Sequence, residues 1–179
     1  GLMTRLGMTP EDSYRLFLAC DSVFEVKKLR AGNDYDAYYT KDSLDAKLQY
    51  VVYDNDKVHR TVFQCFDSLA VWTADRPVSV RKRTADVTIN TSLWNDMLAA
   101  GASPLLILKL SDIYAWTVDF FGLREEDRFR AFYSETVCEG EIISVDTVYF
   151  GIYSRGEKEL YSIMFDQGDG GNVYWNEKG

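Results

Sequence analysis

The 179 residues carry 28 acidic and 20 basic side chains, a net charge of −8, with 46% hydrophobic and 15% aromatic content. That apolar content excludes a disordered chain, and the acidic surplus excludes a nucleic-acid binder, because phosphate contact needs a clustered basic face. No apolar run reaches the roughly 18–20 residues that span a bilayer; the best, SPLLILKLSDIYAW, is interrupted by Lys109 and Asp112.

Residues 9–20, TPEDSYRLFLAC, predict a helix. Thr9 stands at the N-cap, Pro10 at the first helical position and Asp12 three residues after the cap. A side-chain acceptor, a preset φ and a negative charge at the positive end of the dipole all favour a helix start there. Tyr14, Phe17 and Leu18 follow at helical spacing. A short helix or turn is expected at 21–28, a break at Arg30-Ala31-Gly32, and a strand in DYDAYYT. KLQYVVYD, RTVFQCF, LAVWTA and VSVRKRTADVTI read as short strands divided by DND, DS and DRP. In RPVSVRKR, Arg76, Arg81, Lys82 and Arg83 flank Val78 and Val80, the pattern of a solvated strand edge. ADVTINTSLWNDMLAAG predicts a short strand over 86–89 and then a helix capped by Thr91 or Ser92. RFRAFYSETV, IISVDTVYFGIYSRG and KELYSIMFD follow as antiparallel meanders, with a hairpin turn at Arg155-Gly156.

A shift of 94 lays one part of the chain on another without a gap. It pairs Gly7 with Gly101, Pro10 with Pro104, Leu16 with Leu110, Leu29 with Leu123, Arg30 with Arg124, Ala37 with Ala131 and Tyr39 with Tyr133. Cap, break and strand all agree, which predicts an internal repeat of residues 7–39 on 101–133.

The chemistry-bearing residues are sparse. The single histidine, His59, sits in the polar turn DNDKVHR, away from any nucleophile motif. Zinc hydrolases draw on several histidines, and a Ser-His-Asp or Cys-His site would have to use this one. Cys20, Cys65 and Cys138 show no CxxC spacing; Cys20 and Cys65 read as buried free thiols. DQGDGGN (166–172) lacks the EF-hand spacing and opens no helix, so it reads as a β-connection. Glu125-Glu126-Asp127 reads as solvated turn charge. Trp94 and Trp116 are expected in the core, while Trp72 and Trp175 fall on strand edges, between core and surface.

Two segments carry a family resemblance. LGMTPEDSYRLFLACDSVFEVKKLRAGNDYDAYY is similar to the LysM-like, OapA-type subdomain at the front of cell-wall zinc endopeptidases of the M23 (LytM, lysostaphin-like) family. TINTSLWNDMLAAGASPLLILKLSDIYAWTVDFFGLREEDRFRAFYSE resembles the segment that precedes their catalytic domain. KELYSIMFDQGDGGNVYWNEKG looks like the strand and turn just before that domain, and the variant is most like the Bacteroidetes branch. The family's zinc ligands, from an HxxxD segment and a later HxH segment, have no match here.

The resemblance implies an α+β fold: two LysM-like strand–helix–helix–strand units, each extended by antiparallel β-meanders, over 1–85 and 86–179. It implies a non-catalytic accessory region of a peptidoglycan endopeptidase in the bacterial cell envelope or periplasm. The peptidase domain and its zinc are expected beyond Gly179, no cofactor is expected in this chain, and a signal segment is expected outside it. Two roles follow. As a partner of an M23 catalytic domain, docking on it or gating it, the region would use Trp72, Tyr38 and Tyr39. As a glycan-binding module that targets the cell wall, it would hold N-acetylglucosamine chains of peptidoglycan in a groove of Asn90, Thr91, Trp94, Gly122, Arg124 and Glu125. Tyr38 and Tyr39, as strand neighbours, are expected to point opposite ways.

Overall fold

The chain divides at Pro77 into two units, Gly1–Pro77 and Val78–Gly179. The computed structural model describes residues 1–20, 23–41, 45–166, 172–176 and 178. Both units set a few helices against an antiparallel sheet, an α+β arrangement as expected.

The first unit runs α1 (Leu2–Arg5), α2 (Pro10–Ala19), a 3-10 turn (Val26–Lys28), β1 (Tyr35–Tyr39), β2 (Leu48–Asp54), β3 (His59–Gln64) and β4 (Ala70–Asp75). Helix α2 begins as its sequence predicts, with the Thr9 hydroxyl oxygen accepting from the Asp12 N–H at 3.1 Å. Its Leu16 and the following Cys20 and Phe24 face Val51, Tyr53 and Phe63 of the sheet. Full burial of a side chain such as Leu16 or Val51 contributes about 1.5–3 kcal/mol. The strands order β1-β2-β3-β4, which leaves β1 at one edge.

The second unit runs β5 (Val78–Thr88), α3 (Leu93–Ala99), α4 (Leu105–Ile113), β6 (Arg128–Cys138), β7 (Glu141–Arg155), β8 (Lys158–Asp166) and β9 (Asn172–Trp175), with sheet order β5-β6-β7-β8-β9. Ser92 caps α3, accepting from the Asn95 N–H at 3.2 Å. Ala85, Val87 and Ile89 alternate inward from β5 and its end, beneath Met97, Leu106 and Leu110 of the helices. Phe129, Ala131 and Tyr133 of β6 lie beside them in the same core.

Several expectations need correction. The boundary expected at residue 85 falls inside β5. That strand pairs with β6 continuously from Val78↔Cys138 to Thr88↔Arg128, so its first half belongs to the second unit. Helix α1 was not foreseen, and between Val23 and Lys28 only the 3-10 turn forms. Trp116 is 99% exposed and Trp94 59%, not core. The inward positions beside them go to Leu110, Tyr114 and Val118 around Trp116, and to Met97 on the helix of Trp94. Asp127 is buried, not solvated. Residues 167–171 of DQGDGGN lie outside the described residues. All three cysteines are free and buried; burial pushes the Cys65 thiol up to about 11.

The two units carry the same backbone bonds at one offset, 101 − 7 = 94. Met8 donates to Met3 as Ala102 does to Met97, and Gly7 to Thr4 as Gly101 does to Leu98. Phe24 donates to Cys20 as Val118 does to Tyr114, Lys28 to Glu25 as Gly122 does to Asp119, and Asn33 to Arg30 as Asp127 does to Arg124. Gly7 and Gly101 both take positive φ, +108° and +71°, the left-handed region that favours glycine.

Candidate functional site

Two loops of the second unit meet because β5 and β6 end together. The Ile89 N–H donates to the Asp127 carbonyl, and the Glu126 N–H donates to the Ile89 carbonyl, both at 2.8 Å. The β5–α3 loop with Asn90 and Thr91 therefore lies beside the loop that leads from Gly122 to β6. Glu126 makes the bend with φ +73°.

Asp96 shapes the first loop from within α3. Its Oδ2 accepts from the Asn90 N–H at 2.8 Å and the Thr91 N–H at 2.9 Å. Those bonds favour the ionised form and lower the Asp96 pKa.

Asp127 shapes the second loop. Its carboxylate accepts from Arg155 Nε at 2.8 Å and Nη2 at 2.6 Å, from the Tyr153 hydroxyl at 3.0 Å, and from the Arg124 N–H at 2.8 Å. Arg155 Nη2 also donates to the Gly122 carbonyl at 3.0 Å. The Arg155 guanidinium is the first cause that holds the Asp127 carboxyl below its ordinary range. Burial first, then the Asp127 carboxylate, pushes the Tyr153 hydroxyl up to about 12. At neutral pH the trio is fixed in one charge state, so it holds geometry and does not exchange protons.

The expected groove residues are thus partly brought together. Asn90 and Thr91 sit on one loop, Gly122, Arg124 and Glu125 on the adjoining one, and the exposed ring of Trp94 stands on the first turn of α3. The residues that order this place, Asp127, Tyr153 and Arg155, were missed. Asp127 did carry a signal: the 94-residue shift places it on Asn33, another turn-forming side chain directly ahead of a strand.

The first unit presents a different surface. Tyr38 pairs with Tyr50 across β1 and β2, and the Tyr50 and Trp72 rings meet edge-on with centroids 6.3 Å apart. Tyr38, Tyr50 and Trp72 are all substantially exposed on the sheet face turned away from α2. Tyr39 follows a bulge in β1, and its hydroxyl donates to the Leu6 carbonyl at 3.0 Å on the helical side. It is a tether for α1, so the exposed aromatic group is Tyr38, Tyr50 and Trp72. His59 is exposed at the start of β3, where Asp75 at 3.0 Å raises its pKa. Among the described residues no group of three or more His, Cys, Asp or Glu is placed to hold a metal ion, and no helix is long and apolar enough to cross a membrane.

No protein-family model matches the chain. Over 100 residues, 55% of its length, it is 27% identical to the peptidoglycan DD-endopeptidase ShyC of Vibrio cholerae, and the match spans 23% of that protein. Helicobacter pylori Csd3 shares the fold over 98% of this chain and 47% of its own, with TM-score 0.64 and 15% identity. A zinc-containing peptidase from Vibrio cholerae shares it over 100% of this chain and 54% of its own, with TM-score 0.61 and 12% identity. The chain therefore spans about a quarter of the curated relative and about half of each solved chain.

Proposed function

We propose that this chain is a non-catalytic accessory region of a peptidoglycan endopeptidase of the M23 type, acting in the cell envelope. In this reading its two parts are LysM-like units related by an internal repeat, and it docks on or gates a zinc-bearing catalytic domain. The observation that carries the reading is the extent of the likeness: both units together follow about half of a zinc-containing peptidase. The shared backbone bonds 94 residues apart support the repeat. A gate needs an apolar surface that its own core does not use; the exposed group of Tyr38, Tyr50 and Trp72 has that character.

The test is hydrolysis of dye-labelled peptidoglycan by a longer peptidase that carries this region. Deleting residues 1–77 is expected to raise the rate, and adding the isolated chain in trans to lower it weakly. An unchanged rate in both arms rejects gating. A glycan-binding role is the second reading, favoured by the joined loops of Asn90 and Arg124 beside the exposed Trp94. Saturable binding of chitooligosaccharides by the isolated chain, abolished by Trp94→Ala, would establish it.

A further inference from the structure

The connection from α4 to β6 is anchored underneath and apolar on top. Tyr114 and Val118 are buried, the Tyr114 hydroxyl donates to the Leu160 carbonyl at 3.2 Å, and the Phe120 ring stacks on Phe129 with centroids 5.5 Å apart. The Val118 N–H donates to the Tyr114 carbonyl and the Gly122 N–H to the Asp119 carbonyl, so the backbone is tied as well. Two whole rings nevertheless stand in water, Trp116 at 99% and Phe121 at 104% exposure. Single exposed apolar residues are ordinary, but neighbouring rings held out by an anchored loop point to a ligand.

Both rings line an open recess of about 520 Å³, together with the polar side chains of Ser111, Thr117 and Asp119. Roughly 150 Å³ suffices for a benzene ring, so the recess admits a long side chain. The hydrogens of its polar groups are already committed. The Ser111 hydroxyl donates to the Leu108 carbonyl at 2.8 Å and the Thr117 hydroxyl to the Tyr114 carbonyl at 3.2 Å. The Asp119 carboxylate accepts from the Phe121 N–H at 3.0 Å and has no hydrogen to give. Apart from the Trp116 indole N–H, the lining side chains therefore offer lone pairs alone. Asp119 is the one charged residue of the lining, and among the described residues no cation pairs with it. The recess also adjoins the end of α4, whose last turn carries no basic residue, which leaves the negative end of the helix dipole uncompensated.

We propose that this recess binds a primary ammonium group, the lysine side chain of a partner protein. The indole and phenyl faces attract a cation, Trp more strongly than Phe. The three N–H donors of the ammonium meet the lone pairs of Ser111, Thr117 and Asp119, and its methylene stem covers apolar ring surface. A sugar hydroxyl fits less well, because it is an acceptor too and finds no side-chain donor here beyond the indole. An anionic group is opposed by Asp119 and by the helix end. The proposal stands apart from any role in peptidoglycan cleavage and from the loops of Asn90 and Arg124.

The experiment is a titration of the whole chain with the peptide acetyl-Gly-Lys-Gly-amide, read by NMR at the backbone amides of 115–121. Exposed cation–π contacts are individually weak, so saturation is expected in the millimolar range. Asp119→Asn keeps an oxygen for the Phe121 N–H yet should weaken binding about fivefold, a difference that added salt should shrink. Trp116→Ala should weaken it about fivefold and Phe121→Ala by less. Both rings are in solvent, so these variants leave the core intact. A norleucine probe, which lacks the charge, should leave the amides unchanged. A trimethyl-lysine probe, charged but without N–H donors, should bind more weakly. The proposal is overturned if the lysine probe moves none of these amides at tens of millimolar, if the norleucine probe moves them equally, or if the trimethyl-lysine probe binds as tightly. It is also overturned if phosphatidylcholine vesicles or chitotetraose move the same amides in preference to the lysine probe, which would assign the rings to a membrane or a glycan.

Discussion

The turns that precede β1 and β6 make the same bend with different chemistry. In the first, the Asn33 side-chain amide donates to the Asp54 and Asn55 carbonyls at 2.8 and 3.1 Å, and the Tyr53 hydroxyl accepts from the Arg30 N–H at 2.9 Å. In the second, the Asp127 carboxylate accepts from Arg155, Tyr153 and the Arg124 N–H. A neutral donor can satisfy two carbonyls by itself. A buried carboxylate is an acceptor only, so it requires a cation, and Arg155 supplies it from β7. The charged version ties more of the fold together. It is also the more fragile, because removing Arg155 strands a carboxylate that is almost fully buried.

That contrast sets the largest expected effect. Asp127→Ala leaves the Tyr153 hydroxyl and the Arg124 N–H without their acceptor, while the Arg155 guanidinium, 39% exposed, turns to solvent; the loss should be about 1–3 kcal/mol. Asn33→Ala loses neutral hydrogen bonds on a partly exposed turn, and should cost about 1 kcal/mol. Urea unfolding of each variant, read through exchange at β2 and β7 amides, checks the pair. Equal losses would mean that the ion pair adds nothing beyond the turn it occupies.

Acid should separate the turns next. Asp127 has its folded pKa lowered below its ordinary value of 3.8. A lowered value means stability that is fully present above the unfolded pKa and is lost as pH falls through the folded one. The β7 amides should therefore lose protection as pH drops below about 4. Asp127→Asn should start lower and show a flatter acid limb, since an amide does not titrate. An acid limb of wild-type steepness in that variant would assign the loss to other carboxylates.

Exposed partners make His59 the weaker probe. Asp75 raises its pKa, so its contribution is present below the unfolded value and lost as pH rises through the folded one. His59→Gln should flatten the pH dependence of β3–β4 exchange on that alkaline side, by a small amount because the pair is solvated.

Much of this frame was legible in the sequence, and what was not has a physical reason. The α2 cap and the meander strands follow from local chemistry: Thr9 with Asp12, and alternating β-branched and aromatic residues. The division at Pro77 was not legible, because β5 acquires its identity from eleven paired positions on β6, a strand 50 residues further on at its near end (128 − 78). Asp127 was read as solvated for the same reason: Arg155 and Tyr153, which make its burial tolerable, arrive from β7. Trp116 illustrates the converse. Its neighbours in sequence are apolar, yet Leu110, Tyr114 and Val118 take the inward positions and its ring is left in solvent.

A last expected effect bears on what the units share. Gly7 and Gly101 close the first helix of each unit, donating to Thr4 and Leu98 three residues back. At neither position does an added Cβ meet any atom within 4 Å, so substitution is free of clashes. What remains is backbone strain, about 1–2 kcal/mol for an L-residue held in the left-handed region. Gly7→Ala and Gly101→Ala should therefore both destabilise, each in its own unit. Gly7→Ala should be somewhat the worse, because +108° lies further than +71° from the left-handed well near +57°. Exchange at β2 for the first and at β7 for the second gives the comparison without assuming that the units unfold together. If Gly101→Ala costs its share while Gly7→Ala is neutral, α1 does not depend on the turn that follows it. The likeness of the two units would then begin only at α2.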